Sequence, residues 1–284
     1  MKRILSICIA FVLILTTTVT AFSAGITLEE KIRYLADNGF PYDFLESQEE
    51  SAINDIYHSL YGKQVLFLGT ETVSMSESSP EGDISQLGII PEDEMTLTIS
   101  RAVSFTPDTT VGNYKLSAVH IYINYIWESG HPFFTYDDGI SVNWDPSLFT
   151  YMPNSFIARD YKRTVSNNGD WIETQILNSP TALNQGGLGY YARLAYSEYI
   201  MGEVLGALQH KGFASFSLLP AHNPTYLKSE YELADITSIN AEYVHTLLFG
   251  NLSFSLTLVG YGIAISTSGL TDSVAKSLLI YYTH

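Results

Sequence analysis

Seven histidines and thirty carboxylates give this chain ample material for acid–base or metal chemistry. The question is whether their spacing brings any of it together. His58, His120, His131, His210, His222, His245 and His284 are scattered, and none forms a close ligand pair with another. His120 and His245 fall in strand-like stretches, where strands distant in sequence can meet over a zinc ion or an acid–base pair. An ordinary hydrogen-bonded histidine is the plainer reading of each. Asp137-Asp138-Gly139 with Asp145 offers the oxygens a hard cation wants. It does not match an EF-hand loop, and Asp-Gly is also a turn signal, so it reads as a turn. A glycosidase-like carboxylate pair needs a defined separation across the scissile bond, which spacing along one chain does not supply.

Linear signatures of catalysis are missing. The chain has no G-x-S-x-G elbow, no H-E-x-x-H helix, no Walker loop and no G-x-G-x-x-G opening a helix. Gly186-Gly187-Leu188-Gly189 reads as a loop. No catalytic residue is assigned, and neither a metal nor a cofactor is expected. For ligand contact, Trp144 and Trp171 are the residues to test, since an indole face in a polar stretch suits a sugar or a cell-surface ligand.

The N-terminus decides where such chemistry would occur. Met1-Lys2-Arg3, an apolar run from Ile4 to Leu15 and a small-residue end at Ala21-Phe22-Ser23-Ala24 are the three parts of a secretory signal. The apolar run is too short for a permanent span, which needs roughly 20 residues. Residues 1–24 are therefore read as a signal peptide cut after Ala24, and the chain as secreted, with no stable membrane anchor. Cys8 is the single cysteine and leaves with the signal, which excludes disulfides, a cysteine nucleophile and thiolate metal sites.

The charge balance is 14 Lys+Arg against 30 Asp+Glu, a formal net of −16, and loss of Lys2 and Arg3 makes it more negative still. Such a surface repels nucleic acid and anionic membranes. Hydrophobic residues make up 46 % of the chain, so a packed core is available. The 20 tyrosines fit a β-rich fold.

The elements that would position these residues follow from periodicity. Residues 25–62 read as a helical N-terminal segment. Thr27 with Glu30 and Ser47 with Glu50 form capping boxes, Ile53, Ile56, Tyr57 and Leu60 fall at helical spacing, and Gly39 and Gly62 supply stops. Asn38-Gly39-Phe40-Pro41 followed by Phe44-Leu45 resembles the glycine–phenylalanine loop of ubiquitin-associated three-helix modules. The resemblance is confined to this segment, and no function is carried from it.

Residues 63–284 read as a β-rich main domain. Met95, Leu97, Ile99, Val103 and Phe105 share one face of a strand that Arg101 interrupts, placing Arg101 near an edge or beside a carboxylate. Val119, Ile121, Ile123, Tyr125 and Trp127 make a second stripe. Asn168-Gly169 predicts a tight hairpin pairing Val165 with Ile172 and Tyr161 with Ile176. Tyr190–Gly212 is read as a helix. Leu252, Phe254, Leu256 and Leu258 alternate with Ser and Thr, and the parity then switches to Tyr261, Ile263 and Ile265, which predicts a bulge or bend over Val259–Gly262. A last strand covers about Ala275–Tyr282.

The expected fold is mainly β, with antiparallel sandwich-like sheets, a small N-terminal helical segment and one helix near residues 190–211. The leading functional reading is an extracellular binding or structural protein whose ligand is a carbohydrate or a cell-surface protein, not nucleic acid. The alternatives are an extracellular hydrolase with an acid pair or an assembled Ser/His/Asp site, and a secreted membrane-active protein whose Leu252–Leu258 segment supplies a barrel strand.

Overall fold

The computed structural model describes residues 25–74, 95–108, 113–127, 137–163, 169–193, 198–200, 203–205, 209–220, 226–227, 235–248, 252–256, 262–268 and 270–282. The expected signal at 1–24, the Ser/Glu/Gly-rich stretch 75–88 and Asn168 lie outside them. So do residues 257–261, which hold most of the expected bend.

Three helices open the chain: α1 (Leu28–Asp37), α2 (Tyr42–Glu46) and α3 (Glu50–Leu60). Thr27 caps α1 through the reciprocal box. Its hydroxyl accepts from the Glu30 N–H at 3.3 Å, and its own N–H donates to the Glu30 carboxylate at 2.8 Å. The second box does not form, because the Ser47 hydroxyl turns back to donate to the Phe44 carbonyl, and α3 starts two residues later, from Glu49, without a side-chain cap. Gly39 and Gly62 adopt positive φ where their helices stop.

Antiparallel strands make up the rest. First come β1 (Gln64–Ser74), β2 (Met95–Asp108), β3 (Asn113–Trp127), β4 (Asp137–Asn143), β5 (Phe149–Tyr151) and β6 (Ile157–Arg163). They are followed by β7 (Trp171–Leu177), β8 (Ala182–Asn184), β9 (Gly187–Arg193), β10 (Glu198–Ile200), β11 (Glu203–Leu205) and β12 (Gln209–Pro220). The chain closes with β13 (Tyr226–Leu227), β14 (Asp235–Leu248), β15 (Leu252–Leu256), β16 (Ile263–Thr267) and β17 (Leu270–Tyr282).

A large sheet runs β1-β2-β3-β12-β6-β7, with β5 on β12 and β13 on β3, and a second runs β17-β14-β4-β9-β8. The odd-numbered stripes of β2 and β3, from Met95 to Trp127, pack against Ile140, Val142, Leu188, Tyr190, Ile239 and Tyr243 of the second sheet. That is the dry interior the alternation implied. The even-numbered face of β3 is also buried. Tyr122 there joins Phe40, Phe44, Ile53, Ile56 and Leu60 under the helices. Ion pairs pin this helical layer, with Arg159 of β6 bidentate to Asp55 of α3 and Lys211 of β12 on Glu49 at 2.5 Å. Arg101 is buried on β2, which lies inside the sheet between β1 and β3 rather than at its edge.

Several expectations are corrected. No helix forms among the described residues of 190–211, which instead contribute β9, β10, β11 and the start of β12. Tyr190 and Ala192 point into the core while Tyr191 points out, a period of two that pairing with β4 stabilises. Gly202 and Gly206 also weaken any helix there. The expected loop at Gly186–Gly189 likewise becomes the start of β9. The β6–β7 hairpin exists, but Lys162 faces Ile172 and Arg163 faces Trp171, three residues away from the expected register. The ladder closes early because Arg163 Nε donates to the Gly169 carbonyl. A bulge on β7 at Thr174 shifts this ladder, while β6 alternates without a break, with Asp160 facing the interior and Tyr161 the helices.

Candidate functional site

The parity switch near the C-terminus marks a reversal of the chain. Strands β15 and β16 pair with each other, Leu252 opposite Thr267, Phe254 opposite Ile265 and Leu256 opposite Ile263. One face of this short hairpin is therefore apolar. The other carries Ser253, Ser255 and Ser266, with Ser255 and Ser266 hydroxyls 2.9 Å apart. The hairpin interrupts the β14–β17 ladder only in space. Leu248 pairs with Leu270, and Leu252 next pairs with Thr267, so the two ladders keep nearly the same register with one extra residue on the first arm. The described residues of 235–282 thus form two antiparallel ladders in nearly the same register, the second folded back over the outer face of the second sheet.

Glycines make the seat for that tip. A Cβ at Gly189 would stand 2.5 Å from the Phe254 ring, and one at Gly139 would stand 3.2 Å from Ile265. At Gly187 it would meet the Asn143 amide oxygen and, at 2.9 Å, the Ile263 backbone nitrogen. Polar clamps hold the tip in place. The Asn143 amide accepts from Ile263 N–H at 2.6 Å and donates to Ile263 C=O at 3.0 Å, as a neighbouring strand would. Asn184 donates to the Gly262 carbonyl and the Tyr191 hydroxyl to the Leu252 carbonyl. Phe254 lies on Tyr191 with centroids 4.9 Å apart. In sequence these glycines read only as turn signals, because what they accommodate lies more than sixty residues away.

Gly189→Val is expected to displace Phe254 and speed amide hydrogen exchange across 252–256 and 263–267 by tenfold or more, while β2 and β3 stay protected. Unchanged exchange in the tip would show that Phe254 does not rest on this floor.

A second group of polar residues lies between the sheets. Asp138, expected in a turn, is instead a fully buried residue of β4. Its carboxylate accepts from the Tyr243 hydroxyl and, at 2.9 Å, from His245 Nδ1, while Trp127 Nε1 donates to the Tyr243 oxygen at 3.0 Å. The His245 assignment follows from an acceptor-only partner. Asp160 accepts from the Tyr125 hydroxyl and the Arg193 N–H, each at 2.8 Å. Burial pushes its carboxyl up to about 7, against the lowering effect of those two bonds, and Asp138 and Asp137 push in the same direction. Both carboxylates are engaged with protein donors inside the core.

His120 and His245 do not converge. His120 lies on the helical side of the large sheet between Ser217 and Ser104 hydroxyls, at 2.8 and 3.0 Å, and burial lowers it to about 3. His245 lies between the sheets. No group of three or more His, Asp or Glu among the described residues is placed to hold a metal ion. Asp145 accepts from the N–H and hydroxyl of Ser147 in a local turn. Trp144 is buried against Phe216, its indole N–H donating to the Gln185 carbonyl at 3.1 Å. Trp171 is half-buried, with the Lys211 ammonium 4.5 Å from its ring centroid and the Arg163 guanidinium 5.8 Å away.

Lys211 also lines a groove of about 520 Å³ where the large sheet emerges from under α2. Its floor is a grid. Thr98, Asn124 and Phe213 are neighbours across β2, β3 and β12, and Thr96, Ile126 and Lys211 form the next row. Pro41, Asp43, Phe44 and Gln48 make one wall and Tyr161 closes an end.

No protein-family model matches the chain, and no curated protein matches it. Among solved structures, one titled "Pore forming protein" superposes with a TM-score of 0.34 at 8% identity, covering 79% of this chain and 97% of its own. Another, titled "BspA_C_mut", gives a TM-score of 0.29 at 9% identity over 66% of this chain and 54% of its own.

Proposed function

We propose that this is a secreted, membrane-active protein that deploys the tip of its β14–β17 ladder as an amphipathic hairpin. One observation carries the reading: the tip is a folded-back ladder in nearly the same register as the β14–β17 ladder, kept on a glycine floor by side-chain clamps. Straightened, it would continue the ladder beyond Leu248 and Leu270. The extended arms, Leu248 to Leu258 and Tyr261 to Thr271, are then eleven residues each by sequence. A membrane-crossing strand needs about 9–11. Apolar residues on one face and Ser and Thr on the other suit lipid outside and water inside a barrel made of several copies. The excess of acidic residues directs the protein to neutral rather than anionic lipid. An extracellular hydrolase is less well supported, because Asp138 and Asp160 are sealed in the core with their oxygens engaged.

Dye release from phosphatidylcholine vesicles tests this. The processed chain is expected to release dye, and Phe254→Arg to reduce release at least tenfold, since Arg on a lipid face costs about 2–4 kcal/mol at the bilayer midplane. Ser255→Arg, on the water face, retains release. Silence across neutral and anionic vesicles, or full activity of Phe254→Arg, would overturn the proposal.

A further inference from the structure

The groove beside α2 lies on the large sheet, away from the hairpin, and its chemistry is independent of membrane activity. We infer that it binds a neutral saccharide unit. Its two charged lining residues present no free cation. The Lys211 ammonium is taken up by Glu49 at 2.5 Å and by the Trp171 ring, which leaves Asp43, an exposed carboxylate at the mouth, as the charged group available to a ligand. An anionic ligand would therefore meet no unpaired positive charge and one negative charge.

The remaining lining alternates apolar and hydrogen-bonding groups. Phe44 and Phe213 are buried with surface toward the groove, as is Tyr161, whose hydroxyl is tied to Ser51 at 2.7 Å. Between them the Asn124 amide and the Thr96 hydroxyl take no side-chain partner among the described residues. Thr98 shares its hydroxyl with Thr72 at 3.2 Å and keeps acceptor capacity.

A wholly apolar occupant would strip water from Asn124 and Thr96 and return nothing to them. A sugar ring satisfies both kinds of surface at once. Its C–H face lies on the aromatic walls, and its hydroxyls, each donor and acceptor, meet the amide, the threonines and the Asp43 carboxylate. The volume lies within the range of ordinary small-ligand sites.

Saturation-transfer NMR on the full chain tests the assignment with methyl glycosides of glucose, galactose, mannose and N-acetylglucosamine, beside a blocked Leu-Phe-Leu tripeptide as the apolar probe. At least one glycoside is expected to receive saturation at its ring protons. Asn124→Ala and Asp43→Asn, both on the groove surface, are each expected to weaken that binding about tenfold with an unchanged circular dichroism spectrum. Absence of transfer to every glycoside overturns the inference, and so does transfer that neither variant reduces. Displacement of the glycoside by the tripeptide also overturns it, since the groove would then be an apolar peptide site. Vesicle release with or without glycoside reports on the hairpin separately.

Discussion

Urea unfolding of residues 25–284 between pH 5 and pH 8 is expected to show stability falling as pH rises, and Asp160→Asn to remove most of that fall. The cause is the Asp160 carboxyl, pushed up to about 7 chiefly by burial, where water no longer stabilises its charge. Between the ordinary aspartate value and about 7, the folded chain holds a proton that the unfolded chain has released. Unfolding then sheds a proton and becomes easier with every increment of pH, and above the folded value the loss is complete. A shift of about three units corresponds to on the order of 4 kcal/mol, of which the window from pH 5 to 7 carries about half. A salt-bridged surface aspartate would give the opposite slope. Glu242 is also raised by burial, so a residual fall is expected in the variant. Asparagine, like the protonated carboxyl, presents an oxygen to one partner and a donor to the other, the Arg193 N–H and the Tyr125 hydroxyl, and its own packing offsets the whole profile. The slope, not the absolute value, is therefore the readout. A flat parental profile, or an Asn variant with the parental slope, would show that Asp160 is ionised throughout.

How much of this was legible in the chain depends on how many layers each strand touches. The Val119–Trp127 stripe was plain because its face meets one partner, the second sheet, and alternation alone marks such a face. His120 and Tyr122, on the other face, are equally buried, because the N-terminal helices lie over them. Period two does not disclose a third layer whose residues look polar. The helix expected near 190–211 failed for a related reason. Leucines and tyrosines at those spacings fit either period, and the decision came from Ile140 and Val142 of β4, fifty residues earlier. The β6–β7 turn chemistry was right about the hairpin and wrong about its register, because Arg163 closes on Gly169 and Thr174 bulges out of β7. Asp160, Gly212 and Tyr125 form one row across β6, β12 and β3, and that register brings Asp160 to Tyr125, a contact that spacing along the chain does not foreshadow. Alternation in Leu252–Leu258 was readable from the start, whereas its seat on Gly139, Gly187 and Gly189 was not. A glycine that leaves room for another segment looks, in one dimension, like a glycine that turns.

Asp138→Ala is expected to cost several kcal/mol, because it leaves two buried donors unsatisfied at about 1–3 kcal/mol each. The Tyr243 hydroxyl and His245 Nδ1 both depend on this carboxylate, and the side chains of all three residues are almost wholly shielded from solvent. Trp127, packed at 5.0 Å on the His245 ring and bonded to the Tyr243 oxygen, loses its orientation with them. Asp138→Asn keeps one acceptor and is expected to lose less. A double variant, Asp138→Ala with His245→Phe, is expected to be less destabilised than the sum of the singles, because the orphaned imidazole is then gone. Urea midpoints measure all three, and a loss below about 1 kcal/mol in Asp138→Ala would show that the surrounding donors find other acceptors. The effect reaches the outer face as well. Asp138 points into the core from β4, and the next residue, Gly139, lies directly beneath Ile265 and Leu252 of the folded-back tip. Loosening the inner side of that strand should therefore loosen the seat of the hairpin. Amide exchange over 252–256 and 263–267 is expected to rise in Asp138→Ala by more than the global destabilisation alone requires.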